Sequence, residues 1–332
     1  MQVFNDINEL RITGQTYLTI GNFDGLHRGH QALLKELLAL AKAQPGHARS
    51  ALLTFDPHPL AILQPDRPLQ LLTSAQDRIR LAGQIGIEIG LIQPFSHAIA
   101  ALTPLEFMTL LKTHLGLAGL VVGPDFALGR DRAGDLDALR EIGQTLGYTV
   151  TVIEPISWQD RTVRSSVIRQ DIRDGNVSEA RQLLGRRYTV EGPVEIGDRR
   201  GHQIGVATAN IHTAAEILLP CDGVYASLST IDPYGQARTF QSVTNIGVRP
   251  TVDGHNRRIE THLLDFPLPG EPDNIYGQTV RVEFVERLRG EQRFTNIDAL
   301  VAQIQSDIRQ ARVLFSAADE VGLSTAIDID GH

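Results

Sequence analysis

Over its first half the chain repeats one pattern, a short apolar run followed by a stretch with apolar residues every three or four positions. YLTIGNF, SALLTF, IEIGLIQPF, LAGLVVG and TVTVIEPI have the length of buried strands. Between them lie QALLKELLALAKA, SAQDRIRLAGQIG, PLEFMTLLKTHLG and DLDALREIGQTLG, each with one apolar helical face. Antiparallel neighbours need only a tight turn between them, whereas parallel strands need a crossover, so this alternation predicts an open parallel sheet covered by helices. In such sheets ligands bind beyond the carboxyl ends of the strands.

After about residue 186 the pattern changes. YTVEGPVEIG, GVYASLSTI, TFQSVTNIG, IETHLLDF and QTVRVEFVERLR are short β-rich runs separated by Gly, Pro, Asn and Asp, which predicts antiparallel strands in a barrel or sandwich. One helix closes this half, with Thr295 as its expected N-cap and Leu300, Ile304, Ile308, Ala311 and Phe315 as a stripe for packing on the β-strands. The expected divisions are an α/β domain over 1–186, a β-domain with its closing helix over 187–316, and an acidic tail over 317–332. The net charge of −8 argues against nucleic acid or an anionic membrane as partner, since both need a basic surface. A single cysteine, an N-terminus without a basic start and apolar core, and no membrane-length apolar run lead to the expectation of a cytoplasmic protein. No pattern in the chain fixes an oligomeric state.

GNFDGLHRGHQALL, residues 21–34, sits where the first buried strand meets a helix. Positions three apart share a helical face, so His27 and His30 can serve one ligand. A helix start offers unpaired N–H groups and a positive dipole end to phosphate, and Gly25 and Gly29 allow a phosphate chain close to the backbone. Two other readings stay open. A zinc pair is one, although the metalloprotease pattern spaces its histidines by four and adds a glutamate. A plain helix cap is the other.

Further stretches carry polar groups at strand ends. In TFDPHP two prolines fix the backbone so that Asp56 and His58 project into the crevice; a rigid turn is the alternative. GPDFALGRDRAGD places Asp125 at a strand end, with Arg130 and Arg132 available to phosphate or simply solvated. In RSSVIRQDIRDG, Ser165 or Ser166 can cap the helix that carries Arg169, a combination suited to a triphosphate or to a cap alone. Strand alternation in IETHLLDF puts Glu260, His262 and Leu264 on one face and Thr261, Leu263 and Asp265 on the other.

These stretches, in this order and spacing, resemble the prokaryotic bifunctional riboflavin kinase/FMN adenylyltransferases, from GNFDGLHRGH through TFDPHP, GPDFALGRDRAGD and RSSVIR to about residue 315. The resemblance implies a Rossmann-like nucleotidyltransferase domain and a riboflavin kinase barrel. It implies riboflavin, FMN, FAD and ATP as ligands, with Mg²⁺ as the divalent cation. For the first domain it implies His27 and His30 as catalytic residues and Gly21, Phe23, Gly29, Ser165, Ser166 and Arg169 at ATP. Asn22, Asp24, Asp56, His58 and Asp125 are implied at the flavin. For the barrel it implies Glu260 as base, Gly205, Thr208 and Asn210 at ATP, Thr208 and Asn210 at the metal, and Arg249 near the flavin. GVATAN departs from the family's GFPTAN, with Val206 for the aromatic residue and Ala207 for the proline, which implies a looser loop and a weaker kinase. A flavin sensor without turnover, a chain with only one of the two activities, and an adenylyltransferase for another phosphate ester are the alternative functions.

Overall fold

The computed structural model describes residues 1–196, 206–251, 254–267 and 274–320, with the backbone alone at 249–251, 254–256 and 317–320. Its contacts divide the chain into two units between Ser165 and Ser166.

The first unit runs β1 (Gln2–Phe4), β2 (Thr16–Ile20), α1 (Arg28–Lys42), β3 (Arg49–Asp56), α2 (Pro59–Leu63), α3 (Ala75–Ile85), β4 (Ile89–Pro94), α4 (His97–Ala100), α5 (Pro104–Leu115), β5 (Leu117–Val122), α6 (Leu136–Leu146) and β6 (Thr149–Val152). A small hairpin of β7 (Ser157–Trp158) and β8 (Arg161–Thr162) follows. The helix boundaries have local causes. Ser74 Oγ caps α3 by accepting from Asp77 N at 3.0 Å, and Thr103 and Glu106 form a reciprocal capping box on α5. Gly116 ends α5 with φ 62°, where a Cβ would fall 2.1 Å from the Gly14 carbonyl oxygen.

The six strands pair in parallel in the order β1-β4-β3-β2-β5-β6. The chain moves outward from β2 through β3 to β4, then returns to the other side of β2 for β5 and β6. The order therefore reverses between β2 and β5, and Gly21 is the first residue past β2. Leu18, Leu53, Ile89, Leu91 and Leu120 on the sheet meet Leu111, Leu115 and Leu139 on the helices, all nearly or wholly buried. Each such side chain contributes about 1.5–3 kcal/mol relative to exposure. β1, the two-residue strands, α2 and α4 were not anticipated, because two to five residues are too few to show a period.

The second unit begins within α7 (Ser165–Asp174) and continues through α8 (Val177–Leu184) into β9 (Tyr188–Glu195), β10 (Ala209–Ile211), β11 (Gly223–Ile231), β12 (Arg238–Thr251), β13 (Gly254–Leu263) and β14 (Thr279–Arg289). These strands close a barrel in the order β10-β13-β12-β11-β14-β9, antiparallel throughout. Helix α9 (Ile297–Glu320) follows. β11 is buried on both faces. Val224 and Ala226 face Ala311 and Phe315 of α9, while Ser227 and Ser229 join a buried hydroxyl cluster with Ser242, Thr244 and Thr261. Every hydroxyl in that cluster is hydrogen-bonded, which keeps its burial from being destabilising.

Three expectations for the closing helix change. Asn296, not Thr295, is the cap, its Oδ1 accepting from Ala299 N at 2.8 Å. The amide side chain reaches the helix N–H from one residue nearer to Ile297. The helix also runs four residues past the expected end at 316; the rest of the expected acidic tail, 321–332, lies outside the described residues. Third, the apolar stripe divides, as described below.

Candidate active sites

The backbone after β2 is unusual. Phe23, Gly25 and Leu26 have φ of 46°, 82° and 36°. For the two side-chain-bearing residues such left-handed backbone costs on the order of 1–3 kcal/mol each and persists only when its surroundings enforce it. Both are buried, and polar anchors surround them. The Asp24 carboxylate accepts from Leu72 N at 2.8 Å and Thr73 N at 3.1 Å, and Thr73 Oγ1 accepts from Gly25 N at 2.9 Å. Gln31 Nε2 donates to Leu26 O at 2.9 Å. Asp24, expected at the flavin, is 3% exposed and holds the chain instead. Its carboxylate is bound to a segment 48 residues away, a partner that no local pattern announces.

His27 is the N-cap of α1, its Nδ1 accepting from His30 N at 3.3 Å. In the neutral ring the proton then sits on Nε2. The two imidazoles stack with centroids 3.7 Å apart, and the Phe23 ring meets His30 edge-on at 5.2 Å. Gly29 leaves room for the stack, since a Cβ there would lie 3.2 Å from the His27 ring. A Cβ on Gly21 would press on Phe23 in the same way. The cap reading and the ligand reading of His27 are thus compatible, one ring nitrogen serving each.

The other stretches reach this loop unequally. Ser165 Oγ donates to Asp24 O at 2.9 Å. Asn22 is exposed, and its carbonyl accepts from Thr54 Oγ1 at 3.3 Å and from Arg78 Nη1 at 2.8 Å. Asp56 ends β3 in an exposed position. His58 does not project as expected: it is 6% exposed and caps α2, Nδ1 accepting from Leu60 N at 3.1 Å. Pro59 starts that helix directly after it, which turns His58 into a cap. Asp125, Arg130 and Arg132 are exposed, and Arg132 Nη2 donates to the Asp125 carbonyl at 3.1 Å. Arg28 lies with its guanidinium carbon 3.7 Å over the Trp158 ring. Ser166 and Arg169 lie on α7 and belong to the second unit.

In the barrel, register does the positioning. Asn210 on β10 pairs with Glu260 on β13, and Glu260 pairs on its other side with Asn245 on β12. Residues directly opposite share a face with Cβ atoms about 4.5–5.5 Å apart, so one carboxylate stands between two amides. Glu260 and Asn245 line a cavity of about 530 Å³ with Thr208, Val206 and His262. His262 Nδ1 donates to Ala207 O at 2.7 Å, which pins the strand-end loop to β13. Thr261 and Leu263 face the barrel interior, whereas Leu264 lies beyond the strand end and is buried with α9. Leu300 and Ile304 of α9 line the cavity, and Ile308, Ala311 and Phe315 pack on the barrel. The cavity's base is a bidentate pair: Arg289 Nε and Nη2 donate to Asp307 at 3.0 and 2.9 Å, and Gln303 Nε2 donates to the same carboxylate at 2.8 Å. Gly205 lies outside the described residues, as does the side chain of Arg249, whose backbone lies in β12.

The FAD synthetase family model matches residues 10–167 and the riboflavin kinase model residues 184–315. The Escherichia coli K12 protein named bifunctional riboflavin kinase/FMN adenylyltransferase is 35% identical over 303 residues, covering 90% of this chain and 92% of its own. The chain belongs to the bifunctional riboflavin kinase/FMN adenylyltransferase family. The similarly named Pseudomonas fluorescens and Bacillus subtilis proteins are 34% and 31% identical, with 95% and 91% of this chain covered and 98% and 93% of theirs. A crystal structure of a Streptococcus pneumoniae protein, named there a macrolide-efflux protein, superposes with a TM-score of 0.82 at 28% identity, covering 93% of this chain and 98% of that one. Among the described residues no helix is long and apolar enough to cross a membrane.

For a member of this family, three residues were missed in the sequence. Arg78 and Thr73 anchor the loop after β2, and His262 anchors the loop before β10. Arg78 left a detectable signal, a lone charge in the apolar stripe Ala75, Ile79, Ala82. β10 itself was hidden, since GVATANI reads as a glycine-led loop and only three of its residues pair.

Proposed function

We propose that the two units carry two successive ATP-dependent reactions. In the barrel the terminal ribityl hydroxyl of riboflavin attacks the γ-phosphorus of ATP, the bond to ADP breaks, and FMN forms. Glu260 accepts the hydroxyl proton. The observation that supports this reading is the row Asn210, Glu260, Asn245, of which Glu260 and Asn245 line the cavity and give it a carboxylate able to accept a proton. Asn210 Oδ1 is buried with no hydrogen-bond partner among the described residues, and Thr208, two residues before it, lines the cavity. Two neutral oxygens of this kind fit a hard divalent cation such as Mg²⁺, and we assign them to it. When bound, the cation neutralises charge on the transferring phosphates.

In the α/β unit an FMN phosphate oxygen attacks the α-phosphorus of a second ATP. The bond to pyrophosphate breaks and FAD forms. His27 and His30 sit at the start of α1, where ring N–H groups and the helix dipole stabilise charge that shifts onto the leaving pyrophosphate. Gly21, Phe23 and Gly29 shape that surface for the triphosphate, with Ser165 assigned to the same nucleotide, and Ser166 and Arg169 on α7 are assigned to ATP phosphate. Asn22, Asp56 and Asp125 are assigned to the flavin side of the site and Arg249 to flavin in the barrel. Asp24 and His58 act by holding backbone. We place the domain division at 186/187 and the barrel with its helix at 187–316. With one cysteine and a net negative charge, the chain is assigned to the cytoplasm, without nucleic acid or membrane partners.

The test is chromatography of products from the purified chain with ATP and MgCl₂, given either riboflavin or FMN. Glu260→Gln slows FMN formation by about 10²–10⁴-fold and leaves FAD formation from FMN intact. His30→Ala does the reverse and stops the course at FMN. No FMN from riboflavin and no FAD from FMN with the unaltered chain overturns the proposal.

A further inference from the structure

Arg78 is 1% exposed and points inward from α3. Burial strips its guanidinium of water and pushes its pKa down from the ordinary arginine value. A buried cation is tolerated only when its donors are met and charge lies nearby. Here the donors are met by four acceptors. Nε donates to Ser74 O at 3.2 Å, Nη1 to Asn22 O at 2.8 Å and Thr54 Oγ1 at 2.9 Å, and Nη2 to Thr73 O at 3.4 Å. Asp24, Asp56 and Asp77 supply the facing negative charge.

Those acceptors belong to three segments: the loop after β2, the end of β3, and the turn into α3. The turn also holds Asp24 and Gly25 through Leu72 and Thr73. One side chain therefore ties together the strand ends from which the left-handed Phe23–Leu26 turn departs. That turn delivers His27 to the head of α1. The Asn22 carbonyl is held inward by Arg78 and Thr54 together. The cation also offsets Asp24 and Asp56 beneath a surface that must admit a polyanion, a contribution that grows in low dielectric.

We propose that Arg78 is the positioning residue of the adenylyl-transfer site, holding the Gly21–His30 loop in the geometry that sets His27 and His30 against phosphate. This rests on the function proposed above. Arg78 touches no substrate and acts through Asn22, Thr54 and Thr73. Its fork reaches acceptors on three segments at once, which a lysine ammonium on a single flexible stem does not do with fixed geometry.

The test uses the full chain with Arg78→Lys and Arg78→Met, with riboflavin phosphorylation in the other unit as the internal control for folded enzyme. Arg78→Met lowers kcat for FAD formation from FMN by about 10²-fold, the scale expected when a reacting group is misplaced by about 1 Å. KM for ATP changes far less than kcat, and riboflavin phosphorylation per mole of protein is unchanged. Arg78→Lys keeps the charge and recovers about tenfold of the loss. A purely structural arginine behaves differently: both variants melt earlier, but the folded protein keeps the unaltered kcat. An Arg78→Met kcat within about threefold of the unaltered chain, or no recovery with lysine, overturns the proposal. Should Arg78→Met fail to fold, Arg78→Lys decides alone, and an unaltered kcat there is equally fatal. If the unaltered chain makes no FAD from FMN, the functional reading fails, a result distinct from any of these.

Discussion

Asp307→Asn tests how α9 is held to the barrel. Asp307 is 2% exposed and Arg289 15% exposed at the side chain, and three hydrogen bonds from Arg289 and one from Gln303 end on the Asp307 carboxylate. Asparagine keeps one acceptor but turns an amide N–H₂ toward Arg289 Nη2, leaving a buried cation against a donor. Breaking one partner of a buried pair costs about 3–5 kcal/mol, and Arg289's residual exposure puts the loss near the lower end, about 3 kcal/mol. For a unit of this size each kcal/mol lowers the melting temperature by about 2–4 °C, so a drop of about 6–12 °C is expected by scanning calorimetry. The discriminating variant is Arg289→Met with Asp307→Leu. Apolar residues of similar volume remove both the attraction and the desolvation cost, so the double variant recovers most of the lost stability. A drop below about 2 °C for Asp307→Asn refutes the pair as the anchor of α9, because it implies a cost under about 1 kcal/mol. A double variant no better than the single one refutes the assignment of the loss to an unpaired charge.

Two further outcomes are expected. His262→Ala frees the Ala207 carbonyl from its 2.7 Å bond and raises the kinase KM for ATP by about fivefold, the value of one hydrogen bond of about 1 kcal/mol, while His262→Asn, which keeps a donor, restores it; an unchanged KM for His262→Ala in initial-rate assays excludes the tie. Burial holds the Tyr148 hydroxyl pKa up at about 12, above its unfolded value of 10.0, so the folded state binds the extra proton between those values. Its stabilising effect is present below pH 10 and is lost as pH rises toward about 12. Tyr148→Phe should flatten the fall of melting temperature over that window, and an identical slope in the variant refutes the assignment.

The alternation of strand and helix was legible because each element is long enough to show its period, and the parallel sheet followed from the crossovers that such alternation requires. The strand face of Glu260 was legible for the same reason, as Thr261 and Leu263 are buried on the opposite side. What could not be read are side chains whose partners are remote in sequence. Asp24 looks like a ligand-facing carboxylate until the backbone of Leu72 and Thr73 closes on it, and Arg78, a lone charge in an apolar stripe, shows its acceptors only when the ends of β2 and β3 converge on it. His58 was misread at short range, because a Pro-led helix of five residues, α2, leaves no periodic trace. Local pattern reports the elements, and polar anchoring between elements is decided only when the strands are in register.

The altered loop GVATAN shows the same division at work. Proline in the family fixes a backbone φ by its ring, so Ala207 reads in the sequence as lost rigidity. In the structure the neighbouring Val206 is 5% exposed, and the Ala207 carbonyl is held by His262 on β13, the strand that carries Glu260. A hydrogen bond from across the sheet thus holds the carbonyl of the residue that stands where the family has its ring. The two devices differ in their consequences. A ring constrains the loop in the unfolded chain as well, whereas the histidine bond forms only once β10 and β13 are paired. Constraint of the loop beside Thr208 and Asn210 is thereby coupled to the same strand register that sets Glu260 between its two amides. The Ala207 carbonyl and Glu260 are thus both held through β13 and the strand pairing of the barrel.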